Sequence, residues 1–232
     1  MTEYILHLAD NSLILGHRNS EWTGHGPVLE QDIALSNISL DLIGQSRNLY
    51  QYAAELTGNG ATEDSLAYLR GPEDYKNCLL VEQSNGHWGK TVLRQFLFSA
   101  YQYPLYQYLS QQPDEKLSAI ANKSNKEVTY HLRWSSEWVL RLSLGTEESH
   151  NKMKEALHEL WPFTDDMVGY EEPEVRETWT SRVNDILIKC GLPIPTDVKM
   201  ISGGRSGQHT EQLEKLLAEM QYLQRTYPGV EW

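Results

Sequence analysis

The sequence predicts an all-α protein built on a four-helix bundle, and three observations support this class. Apolar residues recur at helical spacing along most of the chain, as in the seven-residue series Val28, Leu35, Leu42, Leu49 and Leu56. Glycine and proline punctuate the periodic segments, and no segment alternates in the manner of a half-buried strand. Four periodic segments are roughly 25–30 residues long, as bundle helices are. We therefore expect a single domain over residues 1–232.

The first half of the chain divides into helices at its proline and glycine residues. A helix over 28–57 follows Pro27 and ends at Gly58, matching the preference of these residues for helix starts and stops. The aromatic helix over 87–112 contains Pro104, whose missing N–H predicts a kink. The other helices predicted here are the apolar segment 2–18 and shorter pieces within 63–80, interrupted at Gly71 and Pro72.

Capping residues and a further proline divide the second half. Asp114 is suited to cap a helix over 114–144, because its carboxylate can accept from the first helical turn. The next helix is expected to begin after Thr146 and to last to about Val168, with a kink at Pro162. The chain finishes with helices over 173–190 and 209–226, separated by the extended loop 191–208.

The helix over 28–57 is apolar on two sides. Leu29, Ile33 and Leu40 lie opposite the leucine series along the first half of this helix. A helix with apolar residues on both sides is covered on both sides. We therefore expect it to lie either within the core or against another subunit.

Composition excludes several classes of function. The net charge is −12, from 20 basic and 32 acidic residues, which argues against nucleic-acid binding and against an anionic membrane surface. No stretch approaches the length of apolar sequence that spans a bilayer, and the N-terminus lacks the features of a secretion signal. Cys78 and Cys190 are far apart and form no C-x-x-C motif, as is typical of a reducing compartment. We expect a cytoplasmic protein.

Glu127 and His131, within "KEVTYHLRWSSEW", raise the question of a metal site. Di-iron carboxylate bundles take one glutamate from each of two helices and a Glu-x-x-His pair from each of the other two. Here Tyr130 occupies the position three residues after the glutamate. Both Glu127 and His131 nevertheless lie on the apolar side of their helix, so we expect them to be buried. The other members of this stripe are Leu117, Ile120, Ser124, Trp138 and Leu142.

The literal Glu-x-x-His matches are interpreted as chance. Glu147–His150 and Glu155–His158 lie on the same predicted helix, whereas a di-iron site needs the two pairs on different helices. The first glutamate suits the opening turn of a helix, where a negative charge is favoured. The second pair falls opposite the apolar stripe of Met153, Leu157, Leu160 and Thr164.

Other polar residues coincide with positions at which a di-iron bundle has ligands. Asp41 flanks the leucine series, and Glu82-x-x-Asn85 has the ligand spacing with asparagine in place of histidine. Each observation taken alone also fits a buried polar residue that is satisfied by hydrogen bonds. Taken together, they indicate a bundle that keeps polar residues at these positions without enough good ligands to hold iron.

Four stretches closely resemble the C subunits of ring-1,2-phenylacetyl-CoA epoxidases, which are multicomponent bacterial monooxygenases. They are "RNSEWTGHGPVLEQDIALSNISLDLIGQSRNLYQYAAELTG", "LLVEQSNGHW", "KEVTYHLRWSSEW" and "HTEQLEKLLAEMQYLQRTYPG". The resemblance implies a ferritin-like fold and a structural, non-catalytic role. It also implies partners: an A subunit that carries the di-iron centre and binds the acyl-CoA, and a reductase that delivers electrons from NADPH through flavin and iron–sulfur groups.

Carried onto this chain, the resemblance marks the remains of a metal site and no bound cofactor. The positions are Asp41, Glu82, Asn85, Glu127, His131 and Asp165. The expected assembly is a heteromeric complex with the catalytic A subunit, and a homodimer is the alternative for the isolated chain. The competing hypothesis is a di-iron oxygenase active in its own right, using Asp41, Glu82, Glu127 and His131.

The glycine-rich loop "KMISGGRSGQH" offers a second candidate site. Lys199 and Arg205 could contact a phosphate of coenzyme A there, since glycine-rich loops ahead of helices can bind anions. The segment matches neither a Walker motif nor a dinucleotide fingerprint. A plain connector is the alternative interpretation.

Overall fold

A computed structural model of the chain describes residues 1–230. Within this range the regular structure is helical, and no β-strand occurs. The all-α class is therefore confirmed. The α-helices are α1 (Thr2–Ser20), α2 (Leu29–Thr57), α3 (Glu63–Tyr68), α4 (Leu79–Glu82), α5 (Trp88–Leu109), α6 (Glu115–Ser143), α7 (Glu147–Leu160), α8 (Thr164–Val168), α9 (Pro173–Cys190), α10 (Glu211–Met220) and α11 (Tyr222–Thr226). Short 3₁₀ turns occur at Pro72–Asp74, Trp161–Phe163 and Gly204–Ser206.

The chain divides into two compact units. The N-terminal unit comprises Met1–Ser84 together with the C-terminal segment from Gly203 onward, and the central unit comprises Asn85–Ser202. The N-terminal unit is thus built from two stretches of the chain, one before and one after the central unit. The expectation of a single domain over 1–232 stays a prediction.

In the N-terminal unit, α1 and α2 pack as an antiparallel pair. Asp10 of α1 meets Tyr50 near the end of α2, while Gly16 lies against Ile43, nearer its start. The middle of the leucine series, Leu35, Leu42 and Leu49, is fully buried, as the spacing predicts. The first and last members, Val28 and Leu56, are exposed because they fall at the ends of the helix.

In the central unit, α5 and α6 form a second antiparallel pair. The ring of Trp88 meets that of Trp134 edge to face, and the hydroxyl of Ser118 donates to the carbonyl of Ser110. The predicted cap is present, since the Asp114 carboxylate accepts from the backbone N–H of Leu117 at 3.0 Å.

The predicted helix from Thr146 to Val168 is broken rather than kinked. α7 ends at Leu160, a 3₁₀ turn containing Pro162 follows, and α8 begins at Thr164. Proline has no N–H to donate and its ring clashes with the preceding turn, so the α-helical ladder stops here. The turn also changes the register of the residues that follow, because a 3₁₀ segment advances by a larger angle per residue.

No helix within residues 1–230 combines the length and the apolar character needed to cross a membrane.

Candidate functional site

The predicted metal-site residues of the central unit have different environments. His131 on α6 is fully buried, whereas Glu127, one turn earlier, is only half-buried and falls short of the expected burial. Asn85 precedes α5, and its side-chain oxygen accepts from Arg94 Nη2 at 2.6 Å and from Thr91 Oγ1 at 3.3 Å. The expected inward-facing polar set of this unit is therefore only partly present.

Asp165 does not point into the interior. It is exposed and lines an open groove of about 730 Å³ beside α9, while its neighbour Asp166 is fully buried. The resemblance assigned Asp165 to the metal positions, on a helix that was expected to continue through a kink at Pro162. Because the 3₁₀ turn at Trp161–Phe163 resets the register, Asp166 takes the inward position instead.

The Glu-x-x-His matches on α7 have exposed glutamates. Glu147, Glu155 and His158 face solvent, and His150 Nδ1 lies 2.9 Å from the carbonyl of Ser143. This arrangement agrees with the interpretation that both matches are chance.

In the N-terminal unit, Asp41 is half-buried on α2 and Glu82 is fully buried at the end of α4. The Glu82 carboxylate is occupied by hydrogen bonds from the chain itself. The backbone N–H of Thr210 donates to Oε1 at 2.7 Å, Asn77 Nδ2 donates to Oε2 at 3.0 Å, and His209 Nδ1 lies 2.9 Å from Oε2. These bonds tie α4 to the segment that leads into α10.

We call the contacts of His209, Thr210 and Gln212 with Glu82 and Arg18 the C-terminal latch. Arg18 of α1 donates from Nε to the carbonyl of Glu82 at 3.1 Å and from Nη2 to the carbonyl of Gln212 at 2.8 Å. Main-chain acceptors and a buried carboxylate thus join three stretches that are distant in sequence. The arrangement favours a structural role, because its polar atoms form hydrogen bonds with one another.

The hydrogen-bond geometry of His209 favours the charged imidazole, which can donate from both ring nitrogens. Nε2 lies 3.0 Å from the carbonyl of Tyr75, which can only accept, and Nδ1 faces the Glu82 carboxylate. Burial lowers the pKa of His209, but the hydrogen bonds to Glu82 and Tyr75 and the nearby negative charges together raise it above its ordinary value. The surroundings of His209 therefore favour its protonated form, which forms a buried ion pair with the Glu82 carboxylate.

A second buried carboxylate, Asp10 on α1, anchors the same unit. Arg70 forms an ion pair with it, Tyr50 donates its hydroxyl at 2.5 Å, and the backbone N–H of Lys76 donates at 2.7 Å. Burial and the charge of Asp10 raise the pKa of Tyr50 well above its ordinary value, so this phenol stays protonated as a donor. The guanidinium of Arg70 also lies 4.3 Å from the ring centroid of Tyr75.

The C-terminal helices are fastened to this second cluster as well. Gln221 Nε2 donates to the carbonyl of Arg70 at 3.1 Å and to the hydroxyl of Tyr75 at 3.2 Å. Arg225 Nη2 donates to the same carbonyl of Arg70 at 3.0 Å.

Sequence reasoning did not identify Asp10, Arg70 or His209. A signal existed for Asp10, which interrupts the apolar run of "YILHLADNSLILG" and must be paired if it is buried. Its partner lies 60 residues away in the chain, and no local pattern points to Arg70.

The two predicted anion-contact residues fall in different units. Lys199 is exposed in the loop of the central unit, and Arg205 is half-buried in the N-terminal unit. Gly207 has φ of +78°, and a Cβ there would lie 2.2 Å from the carbonyl oxygen of Glu73, so only glycine fits. Such close packing favours a structural role for 203–209. The phosphate contact stays a prediction.

Comparison with known proteins places the chain in a family. The family model described as "Phenylacetic acid catabolic protein" matches residues 1–232. The chain is 42% identical over 246 aligned positions to the C subunit of the 1,2-phenylacetyl-CoA epoxidase of Escherichia coli (strain K12), covering 100% of this chain and 99% of the relative. The resemblance inferred from the sequence is confirmed, and the all-helical structure agrees with the ferritin-like fold of this family. The chain belongs to the phenylacetic acid catabolic protein family.

Proposed function

We propose that this chain is the non-catalytic structural subunit of a 1,2-phenylacetyl-CoA epoxidase and that it binds and stabilises the catalytic di-iron subunit. Similarity along the full length to the C subunit of the Escherichia coli enzyme supports the assignment to such a complex. The observation that carries the non-catalytic role is that the Glu82 carboxylate is occupied by hydrogen bonds from the chain itself, while Asp165 is exposed. In this role the chain serves aerobic phenylacetate degradation in the cytoplasm.

The residues present do not fit a di-iron centre. Such a centre needs several carboxylates and two histidines converging on the metal pair. The Glu82 carboxylate already accepts three hydrogen bonds, and Asp165 faces solvent. Among residues 1–230, no group of three or more histidine, cysteine, aspartate and glutamate side chains is arranged to hold a metal ion.

Buried polar residues instead fasten the N-terminal unit together. Asp10 and Glu82 are paired with Arg70 and His209, which belong to segments far away in sequence. These ties hold distant segments in one arrangement, which favours binding of a partner because less of the chain has to be ordered on association. We place the di-iron centre in the catalytic subunit and the NADPH, flavin and iron–sulfur chemistry in the reductase, with no cofactor on this chain.

The test is a reconstitution with purified subunits. The isolated chain should contain less than stoichiometric iron and show no oxygen-dependent turnover of phenylacetyl-CoA when it is supplied with the reductase and NADPH. Adding it to the catalytic subunit and the reductase should yield a stable complex with higher activity than the catalytic subunit has without it. Two irons per chain together with turnover in isolation would assign an oxygenase instead.

A further inference from the structure

The outward side of α2 carries a continuous seam of apolar and small residues. Leu29, Ile33 and Leu40 have exposed fractions of 72%, 51% and 66%, respectively, and Gly44 is also exposed. With the half-buried Ser36 they are spaced by three or four residues, so they share one side of the helix. We call these five residues the outer seam of α2. The seam is about 22 Å long at 1.5 Å per residue, which corresponds to roughly four turns.

Packing within the unit does not account for the outer seam. The opposite side of α2 already supplies Leu35, Leu42 and Leu49 to the core. Single exposed aliphatic residues are ordinary, but several in line on one side of a helix form an apolar strip of the kind that marks interaction sites.

Gly44 provides an independent sign of a close neighbour. It lies in the middle of a regular helix, without a positive φ, and a Cβ added there would meet nothing within 4 Å. Neither backbone geometry nor internal packing therefore requires glycine, although glycine disfavours the helix relative to alanine. A missing side chain in the seam allows another helix to approach closely, because the distance between helix axes depends on the side chains at the contact.

Charge distinguishes between the candidates for that neighbour. Glu30 and Asp32 lie beside the first turns of the seam, one on either side, at about 100° per residue. Arg47, one turn beyond Gly44, is paired with Glu63 at 2.8 Å. Association of two copies of the chain would be opposed by the net charge of −12 that each copy carries. The charges favour an apolar helix flanked by lysine or arginine.

We propose that the outer seam of α2 is the docking surface for an apolar, basic-flanked helix of the catalytic subunit. This inference rests on the proposed function, which supplies the partner. The similarity to a protein named as one subunit of a larger enzyme supports a partner of a different sequence.

The test measures binding of the full-length chain to its own purified catalytic subunit. Leu40→Glu places a charge in the middle of the seam and should weaken binding at least about tenfold, the size of effect seen at central interface residues. Leu144→Glu is the matched control, since both leucines are 66% exposed and Leu144 lies beyond the end of α6. The control should bind as the wild type does. Melting temperatures of both variants should stay near that of the wild type, because exposed positions contribute little to stability.

Each outcome has a separate meaning. If the wild-type chain does not bind the catalytic subunit, the proposed function fails. If the wild type binds and Leu40→Glu binds equally well, or if both leucine variants weaken binding equally, the assignment of the seam is overturned while the proposed function stands. If the isolated wild-type chain is a dimer that Leu40→Glu dissociates, the seam is a contact between copies and the proposal is again overturned.

Substitution of Gly44 gives a second test, in which stability and binding to the catalytic subunit should change in opposite directions. Gly44→Ala should raise the melting temperature of the isolated chain, because the new methyl group has open space and alanine favours a helix. The same variant should weaken binding to the catalytic subunit several-fold, and Gly44→Leu should weaken it further. A stabilised Gly44→Ala chain that binds as tightly as the wild type, accompanied by an unaffected Gly44→Leu variant, would exclude close helix packing at the seam.

Discussion

Asp10 and Glu82 of the N-terminal unit differ in burial and hydrogen bonding from Glu127 and Asp165 of the central unit. The first two are fully buried, and each accepts hydrogen bonds from groups far away in the sequence. The other two, both chosen from the sequence as metal positions, are half-buried and exposed, respectively. Buried negative charge in the N-terminal unit therefore joins chain segments. These bonds fasten the last segment of the unit, which begins at Gly203 and is separated in the chain from the first segment by the whole central unit.

Among the substitutions considered, breaking the ion pair between Arg70 and Asp10 should lower the unfolding free energy the most. Arg70→Ala leaves the buried Asp10 carboxylate without its cation, which typically costs about 3–5 kcal/mol of unfolding free energy. Arg47→Ala is the control, because its ion pair with Glu63 is at the surface, where such pairs contribute about 0–1 kcal/mol. Urea unfolding of the three proteins measures the difference. Equal losses in the two variants would show that the Asp10 cluster contributes no more than a surface pair.

Breaking the C-terminal latch should cause the second-largest loss of unfolding free energy. Glu82→Ala removes the acceptor for the Thr210 N–H and for His209, and each buried donor left without a partner costs about 1–3 kcal/mol. Glu82→Gln should be milder, since a neutral His209 that keeps its proton on Nε2 can accept from the new amide at Nδ1. Hydrogen exchange should accelerate in 209–226 of the alanine variant more than elsewhere.

Glu127→Ala and Glu127→Gln complete this comparison of carboxylates. Because Glu127 is half-buried, we expect a smaller stability loss than at Glu82, and a milder one still for the glutamine variant. Epoxidation per folded, assembled complex should be unchanged in the Glu82→Gln and Glu127→Gln variants. If either substitution abolished turnover in an intact complex, that carboxylate would have a chemical role, and the structural assignment would be wrong.

Local chemistry determined which parts of the structure the sequence could predict. Asp114 caps α6 and Gly191 follows α9 directly, because caps and stops depend on hydrogen bonds within a few residues. Asp165 shows the limit, since the resemblance marked this residue whereas the 3₁₀ turn at Trp161–Phe163 leaves it exposed and its neighbour Asp166 buried.

Long-range pairing lay outside sequence reasoning altogether. Glu82 was chosen for its spacing to Asn85, yet its carboxylate is bound by the His209 ring and the backbone N–H of Thr210, more than a hundred residues later in the chain, as well as by Asn77. A single sequence contains no signal for that pairing. The requirement that a buried carboxylate be satisfied predicts that partners exist, but it does not identify them.

The pH dependence of stability should be the smallest effect and should differ in sign between two histidines of the N-terminal unit. Burial, with a contribution from the charge of Arg205, lowers the pKa of His7 to about 3. The unfolded chain takes up this proton near pH 6.5 and the folded chain does not, so the contribution of His7 falls as the pH drops below about 6.5. The pKa of His209 is raised by Glu82 and Tyr75. Its contribution is complete below about pH 6.5 and is lost as the pH rises through the folded-state pKa.

Unfolding free energies measured between pH 5 and pH 9 separate the two histidines. His209→Gln should be less stable than the wild type at pH 6, and this difference should narrow as the pH rises above about 6.5 toward the folded-state pKa of His209. Loss of stability of the wild type in acid should persist in this variant, because it arises from His7 and from His17, whose pKa burial lowers to about 4. Glu82→Gln should also reduce the fall in unfolding free energy above about pH 6.5, since it removes the negative charge that holds the proton on His209. A His209→Gln difference that is constant across this range would mean that folding leaves the pKa of His209 unshifted, so that the pair with Glu82 does not stabilise the charged imidazole.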